Sequence, residues 1–164
     1  MIQDLKKDYI INNKGKKAFI VLFIYRTGNY VYYSNYNKWI KRLILFFLKV
    51  AEQLFVFYPF HIEIPFSCKI GAGFRIVHQH GIVINGRTEI GKNCTIHHST
   101  TIGINELKNK NRAPILGDNV YIGAGAKIIG DIKVGNNAQI GANAVVVKNL
   151  EENMISICRQ ETIQ

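Results

Sequence analysis

The stretch Pro114–Val147, PILGDNVYIGAGAKIIGDIKVGNNAQIGANAVVV, carries an aliphatic residue at every sixth position: Leu116, Ile122, Ile128, Val134, Ile140 and Val146. A helix repeats its apolar face every 3.6 residues and a half-buried strand every two, so a sustained period of six fits neither as one element. It fits a solenoid of short strands joined by tight turns, with the aliphatic position pointing inward. The position four residues on is small or apolar as well, as at Val120, Ala126, Ala138 and Ala144. Glycine follows the aliphatic residue at Ile122 and Ile140, which suits a turn.

Working back toward the N-terminus, the series continues through Ile102, Ile96 and Ile90, then Ile82, Ile76, Ile70 and Ile64. Its phase slips by two residues after Ile82 and by eight after Ile102, and each slip marks an expected loop. Three hexads close a triangular coil, so the series predicts about four coils stacked at roughly 4.8 Å. This reading divides the chain into an N-terminal helical region over 1–62, a β-solenoid over 63–150 with a loop insertion at 104–114, and a tail over 151–164.

Residues three hexads apart lie above one another in such a coil. Counting on this basis puts His78, His98, Ala124 and Ala142 in one vertical column, at a position that alternates away from the inward one and is therefore expected outside. Two imidazoles with small residues above them leave a groove where an extended ligand, such as an acyl carrier, could lie against backbone. His80 falls on a slot that ordinarily faces the core or a corner, which favours a hydrogen-bonded structural histidine; His97 receives no role.

The first third differs in composition. Residues 1–62 hold ten Lys/Arg against three Asp/Glu, whereas 63–164 hold eleven against eight, so the net charge of +10 is concentrated at the N-terminal end. Basic residues are interspersed with acidic ones and form no run longer than two, which argues against nucleic acid as a partner. Arg26, Lys41, Arg42, Lys49 and Glu52 break every apolar run, so a membrane span is not expected, and no signal peptide is evident. Basic, aromatic-rich helices suit packing on their own domain or a partner subunit, and also peripheral contact of 1–62 with an anionic membrane surface. Cys68, Cys94 and Cys158 are odd in number and widely spaced, as expected for reduced thiols in the cytoplasm.

The segments HQHGIVINGRTEIGKNCTIHHSTTIG, from His78, and PILGDNVYIGAGAKIIGDIKVGNNAQIGANAVVVKN, from Pro114, resemble the hexapeptide-repeat acyltransferases, and within them the serine acetyltransferase family. The likeness is strongest to the polysaccharide-biosynthesis branch that includes colanic-acid acetyltransferase. The resemblance implies a left-handed parallel β-helix, a homotrimer, and acetyl-CoA as co-substrate with no permanently bound cofactor or metal. It also implies that His78 removes the proton from an acceptor hydroxyl that attacks the thioester directly, a task matched to a base with a pKa near 7. Glu63 stands where the family has an Asp that orients this histidine. Ala124, Ala142 and Lys148 match acetyl-CoA contacts, and His98 and His80 become acceptor-site candidates. The insertion INELKNKNRAP brings Lys108, Lys110 and Arg112 to a loop expected to cover a cleft shared with a neighbouring subunit.

The family's serine-specific members carry an Asp before the catalytic histidine and a second His before the loop proline, where this chain has Val77 and Ala113. The tail ISICRQETIQ replaces the usual turn near CoA with Cys158 to Glu161, and the helical region is shorter. A site for a charged amine seldom omits its counter-ion. The sequence therefore favours a sugar or surface-polysaccharide precursor as acceptor, with L-serine as the alternative. A catalytically idle assembly or membrane module is a further one. A zinc hydrase on the same fold fits poorly, because the five histidines lack that family's ligand spacing.

Overall fold

The computed structural model describes residues 1–108 and 111–158. Lys110, one of the expected loop cations, and Arg159 to Glu161 of the tail lie outside the described residues. Three helices come first: α1 (Ile2–Ile11), α2 (Lys16–Tyr33) and α3 (Lys38–Glu52). The last continues through a π-helical turn, Gln53–Phe57, into α4 (Tyr58–Phe60).

Among the described residues, thirteen short strands then wind into three parallel sheets, the faces of a left-handed β-helix. One sheet stacks β1 (Lys69–Ile70), β4 (Glu89–Ile90), β7 (Ile115–Leu116) and β10 (Lys133–Val134). A second stacks β2 (Arg75–Val77), β5 (Thr95–His97), β8 (Tyr121–Ile122), β11 (Gln139–Ile140) and β13 (Ile155–Ser156). The third stacks β3 (Val83–Ile84), β6 (Thr101–Gly103), β9 (Lys127–Ile129) and β12 (Val145–Val146). Four full coils result, and β13 carries the second sheet one rung past residue 150, where the periodicity had faded.

The inward aliphatics pair as the period predicts, with Ile76, Ile96, Ile122 and Ile140 forming one continuous column. One assignment changes. Ile84, not Ile82, pairs with Ile102, so the two-residue phase slip lies between Ile76 and Ile84 and not after Ile82. Ile82 instead fills the slot held above it by Thr100, Ala126 and Ala144, whose carbonyls receive the matching ladder hydrogen bonds. Both isoleucines are at most 1% exposed, so spacing alone does not separate them.

Asparagine supplies a feature that period-counting overlooks. Asn93, Asn119, Asn137 and Asn153 each adopt φ near +60°, which asparagine tolerates better than most residues. Their side-chain amides bond up the corner at 3.2, 3.1 and 3.1 Å. Glycine is demanded where coils touch: a Cβ on Gly91 would lie 2.4 Å from the Gly117 carbonyl oxygen.

The lower edge of the first coil would expose unpaired strand backbone, and the helices cover it. Asn12 Nδ2 donates to Phe74 O at 2.9 Å, while Ile76 N donates to Asn12 Oδ1 at 2.9 Å. Arg26 donates to the carbonyls of Ile70 and Gly71 and to Asp8, its buried partner at 2.8 Å. Asp8 accepts from Gly73 N and Phe74 N at 2.8 and 2.9 Å. Tyr25 and Asn29 donate to Cys68 O, each at 2.8 Å. Thus Arg26, which reads in sequence as an interruption of an apolar run, joins helices to solenoid.

The run Lys38–Phe60 forms a 23-residue helix, long and apolar enough by length and composition to cross a membrane, with 11% of its most apolar window buried. That corrects the expectation that charges keep every N-terminal segment below spanning length, since helical geometry continues past Lys41, Arg42, Lys49 and Glu52.

Candidate functional site

The two-residue insertion in the first coil forms the corner at which the histidines gather. Approached from β2, where Val77 pairs with His97, the residue beneath His98 is His78. Approached from β3, Ser99 N donates to His80 O just as Gly125 N donates to His98 O and Asn143 N to Ala124 O, so the backbone neighbour is His80. The expected column therefore holds through His98, Ala124 and Ala142, and forks below His98. His78 adopts φ +55°, an additional left-handed residue that accommodates the extra length, while Gly81, at φ +64°, holds the ordinary left-handed corner position shared by Ser99, Gly125 and Asn143.

Ring contacts resolve the fork. The His78 and His98 rings meet edge to face, centroids 5.6 Å apart at 79°, and His78 is exposed. His80 turns away to meet His61, which follows α4, at 5.2 Å. His80 is exposed, which corrects its expected place in a core-facing slot; Ile82 occupies that slot because of the insertion. His98 is half-buried, and its Nδ1 is buried without a hydrogen-bond partner. His97 is held by Ile122 O at 3.0 Å, and its ring centroid lies 5.1 Å from that of Tyr121.

His78 lines an open cleft with Asn12, Asn13, Arg75, Val77 and Gln79, so the turn that follows α1 contributes to the site. Nothing in the sequence spacing points to Asn12 or Asn13, because their approach depends on how the helices dock. A larger groove of 490 Å³ between α2 and the first sheet, lined by Asn29, Tyr33, Lys69 and Glu89 among others, contains no histidine.

Glu63 is exposed and bridges Val83 by backbone, and among the described residues no hydrogen bond or ion pair connects it to His78. Above His98, Ala124 is half-buried and Ala142 exposed, leaving a surface with little side-chain bulk. Lys148 is exposed after β12. In the insertion Lys108 is exposed, while Arg112 pairs with Asp131 at 3.3 Å. No group of three or more His, Cys, Asp or Glu side chains suited to a metal ion occurs among the described residues.

Burial pushes the Cys68 thiol up to about 12 and the Cys94 thiol up to about 11, so both are held as neutral packing groups. Cys158 is exposed.

Residues 113–148 match the family described as bacterial transferase hexapeptide (six repeats). The serine acetyltransferase of Helicobacter pylori (strain ATCC 700392 / 26695) is 46% identical over 111 residues, covering 67% of this chain and 64% of that protein. That of Buchnera aphidicola subsp. Schizaphis graminum is 37% identical over 145 residues, 88% of this chain and 52% of the relative. The chain thus spans less than two thirds of the length of these curated relatives. Among solved structures, serine acetyltransferase isoform 3 of Entamoeba histolytica in complex with cysteine superposes with a TM-score of 0.81 at 27% identity, over 99% of this chain and 59% of that one. The Neisseria gonorrhoeae enzyme in complex with serine gives 0.72 at 28%, over 93% and 62%.

Proposed function

We propose, from the premise that this is a hexapeptide-repeat chain allied in sequence and fold to the serine acetyltransferases, that it transfers acetyl from acetyl-CoA to an acceptor hydroxyl with His78 as general base. The observation that carries the proposal is the exposed His78 ring set against His98 at the foot of the Ala124 and Ala142 track. A thioester lying along the alanines brings its carbonyl carbon to the histidine corner. As the acceptor oxygen attacks, its proton passes to the His78 imidazole, the C–S bond breaks, and the imidazolium returns a proton to the departing CoA thiolate. Edge-to-face contact with His98 restrains the His78 ring in a rotamer that faces the cleft.

The relatives favour L-serine as acceptor over the carbohydrate hydroxyl expected from sequence. A sugar or polysaccharide-precursor hydroxyl remains the second reading, because the half-buried side chain beside His78 is the apolar Val77 and the buried residue before Pro114 is Ala113, neither able to pair with an ammonium group. Lys148 is assigned to a CoA phosphate, and a homotrimer would bring the 104–114 loop, with Lys108, to a neighbouring site. Placement in the cytoplasm belongs to the same proposal.

The test follows thiol release from acetyl-CoA with L-serine and with a panel of sugar acceptors. His78→Ala is expected to lower acceptor-dependent turnover by about 10²–10⁴-fold with an unchanged thermal melt. Wild-type turnover in that variant overturns His78 as base. Serine-stimulated release selects the first reading and sugar-stimulated release the second. Glu63→Gln distinguishes a carboxylate that closes on His78 in the complex, read as a loss of turnover, from a surface residue.

A further inference from the structure

The helix from Lys38 to Phe60 has two unlike faces. Its inner side is fastened to the domain: Glu52 is 5% and Val56 3% exposed, beside Val21, Ile24 and Tyr25 of α2. Its outer side carries Trp39, Leu43, Phe46, Phe47, Val50 and Leu54, which are 43–74% exposed. At 100° per residue these six side chains fall within an arc of about 100°, a continuous apolar stripe. Lys38, Arg42 and Lys49 fall within about 40° of one another along one border of it. The Arg42 guanidinium lies over the Trp39 ring at 5.6 Å. The segment's one acid, Glu52, is buried and paired with Lys49.

We propose that this outer face docks onto the surface of a bilayer containing anionic phospholipid, with the helix lying in the plane of the interface. Charge selects the occupant. A second copy of the helix would bring the same cations and no outward carboxylate to meet Lys38 and Arg42, whereas an anionic headgroup layer supplies the counter-charge while the acyl boundary takes the aromatics. The inner face fixes the orientation, because spanning would tear Glu52 and Val56 away from α2. The docked helix ends next to the histidine corner: Gly81 N donates to Phe60 O at 2.9 Å and His61 touches His80. Docking would therefore hold the site close to the headgroups. The proposal does not depend on the acetyl-transfer reading.

Trp39 is the one tryptophan in the chain and reports on its own surroundings. The full chain is mixed with vesicles of phosphatidylcholine alone or with 30% phosphatidylserine, and binding is read by flotation and by the Trp39 emission shift. Expected are a blue shift and co-flotation with the anionic vesicles, at least tenfold weaker binding to the neutral ones, and weakening by salt. Phe46→Glu with Phe47→Glu should abolish binding, and Lys38→Glu with Arg42→Glu should weaken it at least tenfold, all with an unchanged circular dichroism spectrum. In a Trp39→Phe, Phe47→Trp variant, quenching by brominated lipids should place the mid-helix indole at shallow depth. Four outcomes would overturn the proposal: no preference for anionic vesicles; binding indifferent to the Phe46/Phe47 change; a mid-helix indole at the bilayer centre; or concentration-dependent self-association abolished by that change in a chain that ignores vesicles.

Discussion

The solenoid, mainly aliphatic, and the helical region, which is rich in aromatics, both carry many apolar side chains, yet they dispose of them in opposite ways. In the solenoid Ile76, Ile96, Ile122 and Ile140 are at most 2% exposed and stack in one column, with Ile96 and Ile122 packed between isoleucines above and below. In the outer helix Phe46 and Phe47 are each 62% exposed. A six-residue period turns every aliphatic residue to one axis, so the coil satisfies itself rung by rung. A helix with apolar residues over most of its circumference satisfies one face and offers the other. The two regions meet where the coil has no rung below it, at Asp8 and Arg26.

That junction is the strongest place to break the contrast. Asp8→Ala leaves the Arg26 guanidinium, 6% exposed, buried without its carboxylate and strips the Gly73 and Phe74 amides of their acceptor. The expected loss is about 3–5 kcal/mol in chemical denaturation, with helices and solenoid melting together. A loss below about 1 kcal/mol, or two separate transitions, would mean that the regions fold independently.

A matched pair of truncations measures the contrast itself. Ile96→Ala empties a position with 0% exposure and is expected to cost about 2–5 kcal/mol. Phe46→Ala removes a larger side chain from the outer helix and is expected to stay within about 0.5 kcal/mol in the isolated chain. Equal costs would show that the outer face of the helix is covered in solution.

The repeat was legible because each inward position is reinforced by copies of itself, and so was the stack of His98, Ala124 and Ala142. The fork below it was not. In GIVING the residues Ile82 and Ile84 are identical and alternate about Val83, so either could begin a hexad. The ladder decides, because Ile84 pairs with Ile102, and the two displaced residues then carry His80 outward. The asparagine corner was visible as letters but not as a column until the coils were in register. The roles of Asn12, Arg26 and Asn29 were not legible, since their solenoid partners lie 37 to 64 residues away in sequence and no period links them.

The smallest effect at neutral pH separates the regions by titration. Cys68 and Cys94 belong to the solenoid, and burial raises both thiols from an ordinary value of 9.0, to about 12 and about 11. The unfolded chain loses these protons first, so stability is fully present below about pH 9 and declines as the pH rises toward the folded values. Tyr25, in α2, is also raised by burial, but its ordinary value is 10.0, so its share of the decline begins later. Between pH 9 and 10 the thiols therefore make up the early part of the slope. Cys94→Ala should flatten the stability profile there, measured by denaturant midpoints across pH, while Tyr25→Phe should change it mainly above pH 10. The reverse order would mean that the solenoid core admits water at its thiols, and its rungs would then be less tightly closed than their shared register implies.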